Sequence, residues 1–261
     1  MAERPHDPLP WRTAWIVGAS TGIGAAFARR LAAAGVKVVA SARSADKLAD
    51  LARESARITP LVFDITDGPA VSGAVDAAER RLRTFDLVVL NAGIWQPMGA
   101  SDFSAAKIRT SLEVNLIGPA LVLEVLIPRL IAQGRGHLAI TASVAGYRGL
   151  PRAAAYAPSK AAAIALAEVL RPDLGRHGVT VSVINPGFVD TPMTRDNAFP
   201  MPFMISAEAA AEHIDRGLRT GRFEIVFPWR MMLAMKIARL LPYRLFFLAV
   251  RRMLGRGEAT R

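Results

Sequence analysis

The apolar positions of this chain fall into short unbroken runs set between longer stretches of helical periodicity. Runs at 13–17, 36–40, 58–63, 87–90, 136–141, 179–184 and 223–227 read as seven strands. They are apolar throughout instead of alternating, the pattern of strands buried on both faces. Between them, 25–34 reads as an alanine-rich helix stopped by Gly35. The segment 44–54 places Leu48 and Leu51 on one face, and Asp67 caps a helix reaching 83. A long helix is predicted over 103–132 with a kink at Pro119, another over 153–170 ended or bent by Pro172, and a further one over 207–218. Strands alternating with helices imply a doubly wound α/β domain on a parallel seven-stranded sheet. The expected organisation is a tail over 1–11, one body over 12–228 and an extension over 229–261, with no linker or repeat.

Composition narrows the chemistry. The chain of 261 residues has no cysteine, which excludes disulfides and thiolate chemistry. His6, His137, His177 and His213 are scattered, so no spaced metal pair is expected. The net charge of +11 admits nucleic acid or an anionic membrane as partner. Eight Lys or Arg against the single acid Glu258 lie between Arg230 and Arg261, so much of the excess sits at one end. No nucleic-acid motif accompanies it. In that extension Lys236 and Arg239 share one helical face before Pro242, and Arg244, Arg251 and Arg252 share one after it. That pattern suits a basic amphipathic helix on a membrane, or one packed on the body or a second subunit. The polar N-terminus has no signal-peptide core, and no unbroken run reaches the roughly 18 apolar residues of a spanning helix. The expectation is a cytoplasmic protein with peripheral contact at the inner face of the membrane.

The first strand runs directly into Gly18-Ala-Ser-Thr-Gly22-Ile-Gly24, and a helix follows. Glycines allow a sharp turn and close approach of a phosphate, and the helix start offers unpaired N–H groups to it. Ser20, Thr21 and Ile23 belong to this loop. The end of the second strand selects the dinucleotide. An acid there would bind a ribose 2′-hydroxyl, whereas an Arg suits a 2′-phosphate. The sequence offers Arg43 and no acid at the tip, which favours NADP(H) over NAD(H), with Ser20, Thr21 and Ser41 as further hydroxyl donors.

Tyr156-Ala-Pro-Ser-Lys160 is the centre of the chemical half. At i and i+4 on a helix the two side chains share a face. An ammonium beside a phenol is expected to lower the phenol's pKa towards the working pH, so that it exchanges a proton with a carbonyl or alcohol oxygen. Such a pair alone is suggestive only. Here Ser143 precedes it by thirteen residues, and Asn115 lies in Asn115-Leu-Ile-Gly118.

The ensemble resembles the short-chain dehydrogenase/reductase family. Gly18, Gly22 and Gly24 match its glycine motif, with Val17 where the family usually has Thr. Asn91-Ala92-Gly93 matches its NAG motif, and Pro186-Gly187 with Val189 and Thr191 matches its PG segment. The resemblance implies that Asn115, Ser143, Tyr156 and Lys160 form the catalytic tetrad. Ser143 would bond the substrate oxygen, Lys160 the nicotinamide ribose, and Asn115 a water in the proton relay. It implies that Asp64, with Ile65 beside it, meets the adenine, and that Pro186, Gly187, Val189 and Thr191 fix the nicotinamide. It also implies a homodimer or tetramer and a substrate lid over 190–206.

That lid segment carries Met193, Phe199, Met201, Phe203 and Met204, side chains that adapt to apolar ligands. Trp95, Tyr147, Leu150, Phe188 and Met193 are expected to line the pocket with Ser143 and Tyr156. Two functions follow. One is an NADP(H)-dependent oxidoreductase for the ketone or secondary alcohol of an apolar substrate, lipid-, steroid- or ketoacyl-like. The other is a non-catalytic NADP(H)-sensing or scaffold protein on the same fold.

Overall fold

A computed structural model describes residues 10–195, 197 and 199–258. Seven parallel strands form one sheet in the order β3-β2-β1-β4-β5-β6-β7. They are β1 Thr13–Val17, β2 Lys37–Ala42, β3 Ile58–Val62, β4 Leu87–Leu90, β5 Gly136–Thr141, β6 Val179–Pro186 and β7 Glu224–Phe227. Every residue of β1 and β4 is buried, as their unbroken apolar runs require. Strand order reverses between β1 and β4, and the crevice at their carboxyl ends is where a doubly wound sheet receives a ligand.

Helices cover both faces. α1 Gly22–Ala33, α2 Ala45–Arg53 and α7 Ala207–Arg219 enclose one core with Phe27, Leu31, Leu48 and Ile214. α3 Gly68–Leu82, α4 Ala105–Leu112, α5 Gly118–Gln133 and α6 Tyr156–Gly175 lie among the helices of the other, where Trp15, Val75, Leu126 and Ala167 are buried. α8 Trp229–Leu240 and α9 Tyr243–Glu258 follow β7.

Four local readings change. α1 begins at Gly22, inside the glycine loop, three residues before the predicted start. The long helix is interrupted not by a kink at Pro119 but by a π-helical turn over Glu113–Ile117. Pro119 has no N–H to give the Asn115 carbonyl four residues back, and the Gly118 N–H bonds Glu113 instead, five residues back. Pro172 does not end α6, which continues to Gly175. Trp11, read with the tail, is buried and packs its ring 6.1 Å from that of His137; residues 1–9 of the tail lie outside the described residues. Although no unbroken apolar run is long enough to cross a membrane, the continuous helical stretch Ala105–Gln133 meets that length and composition. Its Leu123, Leu126 and Leu130 are buried in the core, and Asn115 within it is buried at the site described next.

Candidate active site

The glycine loop leaves β1 at Gly18 with φ +91°. A Cβ there would sit 2.4 Å from the Ala92 backbone nitrogen, and one at Gly24 would sit 2.1 Å from the Gly18 carbonyl oxygen. Loop, helix start and the Asn91-Ala92-Gly93 segment are therefore in backbone contact, which only glycine permits. The Asn91 side-chain amide donates to the Gly18 carbonyl at 2.9 Å and locks the turn. Thr21 occupies the N-cap of α1 without a side-chain capping bond, and the first turn has no acid. The helix start thus keeps its N–H groups and partial positive charge for an anion, and the loop fits a dinucleotide pyrophosphate. Ser20, Thr21 and Ile23 are half-buried around it, and Thr191 packs against Gly22 from the other side of the crevice.

At the tip of β2, Arg43 is exposed and lies 3.6 Å from Asp64. Partial burial raises the Asp64 carboxyl, but the Thr66 N–H and hydroxyl together with Arg43 bring it below the ordinary value. A pair this exposed is weak, so Arg43 can turn to a competing phosphate at little cost. Ile65 is buried beneath Gly118 and supports the π turn as well as the crevice. Ser41 is a correction. Its hydroxyl is fully buried and accepts from the Trp15 indole N–H at 2.9 Å, so it faces the core and offers no donor to a ligand.

The four residues of the chemical half converge. The Asn115 carboxamide accepts from the Ile94 N–H at 2.8 Å and donates to the Ile94 carbonyl at 3.1 Å and to Ser159 Oγ at 2.9 Å. Both of its amide hydrogens are committed, so only acceptor capacity remains for a water. Its main-chain carbonyl lost its α-helical donor to Pro119. Lys160 is 3% exposed; its ammonium donates to the Thr141 carbonyl at 2.9 Å and lies 5.7 Å from the centre of the Tyr156 ring. A Cβ at Gly93 would stand 3.2 Å from Asn115 Oδ1 and 3.3 Å from Lys160 Nζ, so these groups crowd one spot that a larger residue would fill. Ser143, at the start of the 3-10 turn after β5, donates to the Pro186 carbonyl at 3.3 Å, accepts from the Ala145 N–H at 3.1 Å and lies close enough to the Tyr156 hydroxyl to favour its phenolate.

Electrostatics differ from the sequence expectation. Burial pushes the Tyr156 phenol up to about 12, only partly offset by Ser143, and pushes Lys160 down to about 8. The Lys160 ammonium is directed at the Thr141 carbonyl, and desolvation dominates at the phenol. At neutral pH the tyrosine therefore keeps its proton and the lysine is largely an ammonium.

Aromatic side chains cover this centre. Trp95 meets Tyr156 edge to face at 5.1 Å and Phe199 at 6.3 Å, and Phe199 stands 6.0 Å from Phe188. The Trp95 indole N–H donates to Asn197 Oδ1 at 2.9 Å, which latches the 190–206 segment over the tyrosine. Val189 is buried and bridges to Ile205 at the base of that segment. Gly187 is pinned by its N–H to the Phe227 carbonyl at 2.7 Å. Met193 is on the exposed outer side. Tyr147 does not join the pocket. It is buried, donates to Glu224 at 2.5 Å and accepts from Asn185 at 3.0 Å, which leaves its hydroxyl facing β7. Leu150 lines a groove of about 600 Å³ with Met98, Ala157 and Pro158, and neither Tyr156 nor Ser143 borders it.

Comparison with known proteins fits this arrangement. A sequence profile described as short chain dehydrogenase matches residues 12–199, from the first strand to the aromatic cover. The chain belongs to the short-chain dehydrogenase family. An uncharacterized oxidoreductase of Myxococcus xanthus is 36% identical over 94% of this chain and 98% of its own length. The 1-deoxy-11-beta-hydroxypentalenate dehydrogenase of Streptomyces avermitilis is 39% identical over 82% of this chain and 83% of its own. Among solved structures, a short chain dehydrogenase from Burkholderia cenocepacia in complex with NADP superposes with a TM-score of 0.77 at 26% identity, covering 89% of this chain and 98% of that one. A short chain dehydrogenase/reductase from Burkholderia phymatum in complex with NAD gives 0.80 at 26% identity, covering 88% and 94%.

Within this short-chain dehydrogenase, sequence reasoning missed three residues of the site. Ser159 and Thr141 bind Asn115 and Lys160 through short contacts that no spacing announces. Asn197 was unremarkable among the Met and Phe of its segment, and only its partner Trp95, 102 residues away, gives it a role. α8 and α9 lie beyond the matched residues.

Proposed function

We propose that the protein is an NADP(H)-dependent oxidoreductase acting on the ketone or secondary alcohol of an apolar substrate. The observation that carries the reading is the shared contact of Ser143 and Tyr156 beneath Trp95, with Lys160 buried one helical turn on. The glycine loop, the uncapped start of α1 and the Pro186–Thr191 segment would hold the dinucleotide, with Arg43 on its 2′-phosphate. When bound, a nicotinamide supplies or accepts the hydride. Ser143 would orient the carbonyl oxygen. Tyr156, held protonated by burial, would give it the proton. Lys160 would hold its charge beneath the phenol as that proton leaves, and Asn115 would keep α4, α5 and the Ile94 loop in register around it. In the reverse direction the same phenol would accept the alcohol proton.

The dehydrogenase named for a hydroxypentalenate supports an alcohol as the reacting group. Solved relatives holding NADP or NAD support a nicotinamide dinucleotide, and the choice between the two rests here on Arg43. The apolar substrate rests on Trp95, Phe188 and Phe199. Exposed Ile117, Ile131 and Val169 on the outer helices suit pairing of two or more subunits.

The test is oxidation of NADPH against ketones of graded chain length, with NADH as control. Turnover should rise with apolar bulk, and Tyr156→Phe should lose it at least about a thousandfold while still binding NADPH. Undiminished turnover in that variant would refute the role of Tyr156. Binding of NADPH without reduction of any ketone would favour the sensing protein.

A further inference from the structure

α8 is apolar on two opposite faces, and only one of them is used by the body. Met231 and Met235 are buried, with Met231 3.0 Å from where a Gly187 Cβ would stand. At helical spacing on the other side lie Trp229, Leu233, Ile237 and Leu240, all exposed, Leu240 at 84%. After the bend at Pro242, Tyr243, Leu245, Phe247 and Leu248 of α9 are exposed as well. A run of large apolar side chains this long is beyond the scattered exposure of an ordinary surface.

The helices carrying this ridge are fixed. Arg148 donates to the Arg239 and Leu241 carbonyls at 3.4 and 3.3 Å, capping the end of α8. Its guanidinium stacks on Tyr243 at 4.3 Å and Phe246 at 4.5 Å. Lys236 pairs with Glu224, which also accepts from Tyr147. The exposed face is therefore held outward.

The ridge also reaches the cover of the active site. Arg230 lies 5.5 Å from the Trp229 ring and 5.7 Å from the Phe203 ring. Phe203 and Met204 of the 190–206 segment are exposed beside it. Cover tip and α8 thus bring exposed apolar rings to the same guanidinium, side by side on one surface.

We infer that this surface seats the protein on an anionic lipid bilayer, with the cover of the active site against the lipid. Charge decides the occupant. From Trp229 to Arg252 the chain has six Lys or Arg and no acid. A second copy would bring two such segments together, whereas anionic headgroups neutralise them along the whole ridge. Trp229 and Tyr243, 63% and 68% exposed, are the amphipathic rings that sit at a lipid–water boundary. The seat itself is independent of any reaction. Only the delivery of an apolar ketone along it rests on the function proposed above.

Flotation of the full-length protein with vesicles reads attachment without activity. The protein should float with phosphatidylglycerol-containing vesicles, remain below with pure phosphatidylcholine, and bind less as salt rises. Ile237→Glu and Leu240→Glu should each weaken binding about tenfold, since each keeps one large apolar side chain out of the lipid. Both positions are exposed, so melting temperature and NADPH binding should not change. Arg244→Glu with Arg251→Glu should remove the anionic preference without touching the ridge. Phe203→Glu should weaken binding too, and unchanged flotation in that variant would overturn the joint face. A wild-type protein that never floats would overturn the seat. So would an oligomer, seen by light scattering, that Ile237→Glu dissociates without any vesicle binding in the wild type, because the ridge would then belong to a second copy.

Discussion

The carboxamide of Asn115 donates to the hydroxyl of Ser159, which in turn donates to the Tyr156 carbonyl at 2.7 Å. A π turn 44 residues away in sequence is thereby tied to the first turn of the helix that carries Tyr156 and Lys160. Ser159 is fully buried, its hydroxyl spent on Asn115 and the Tyr156 carbonyl, which makes it a positioning residue. Ser159→Ala leaves an Asn115 hydrogen without a partner. It should cost about 1–3 kcal/mol of stability in urea denaturation. It should also lower kcat more than it raises KM, because Tyr156 loses its alignment while the pocket wall is intact. A purely structural role would leave kcat unchanged below the melting transition.

On the proposed NADP(H) reading, Arg43 leaves its exposed pair with Asp64 for the 2′-phosphate, a group that NADH lacks. Arg43→Leu should raise the KM for NADPH by about tenfold or more and leave that for NADH within about twofold. Equal loss for both cofactors would show that Arg43 acts on the loop and not on the phosphate.

Trp95 and Asn197 hold the aromatic cover closed through one hydrogen bond of 2.9 Å. Trp95→Phe keeps a ring against Tyr156 but removes the indole donor. Its expected signature is faster proteolytic cleavage within 190–206 and a KM raised several-fold, since one hydrogen bond contributes about 0.5–1.5 kcal/mol. Unchanged cleavage would place the latch elsewhere.

His137 is buried far from the active site, against Ser182 at 2.8 Å and Trp11. Burial, with Arg171 nearby, lowers its pKa to about 4. Below pH 6.5 the unfolded chain takes up a proton that the folded one refuses, so stability falls as pH drops from 6.5 towards 4. The loss should be about 2 kcal/mol at pH 5. Denaturation curves from pH 7 to 5 should show this slope, and His137→Gln should flatten it.

Element order, parallel sheet and glycine loop were legible because each depends on neighbours in sequence. Apolar runs report burial on both faces, and Gly18 and Gly24 report where backbones touch. Spacing and resemblance singled out Asn115, Ser143, Tyr156 and Lys160, and the fold brings these four together; their catalytic roles are those proposed above. Ser41 was not legible: a hydroxyl at a strand end can face ligand or core, and the Trp15 indole on the adjacent strand β1 decided it. Tyr147 was misplaced for the same reason, its partner Glu224 being 77 residues away.

Sequence by itself thus determined the order of the elements and the residue types of the site, since backbone periodicity and glycine sterics are local. It also supplied the charge of the C-terminal helices. Tertiary structure decided which partner each polar group meets, and so the direction of Lys160 and the latch on Asn197, while burial raises the Tyr156 phenol. It alone decided which face of α8 is left outward, because burial and hydrogen bonding are satisfied by groups brought together only when the sheet closes.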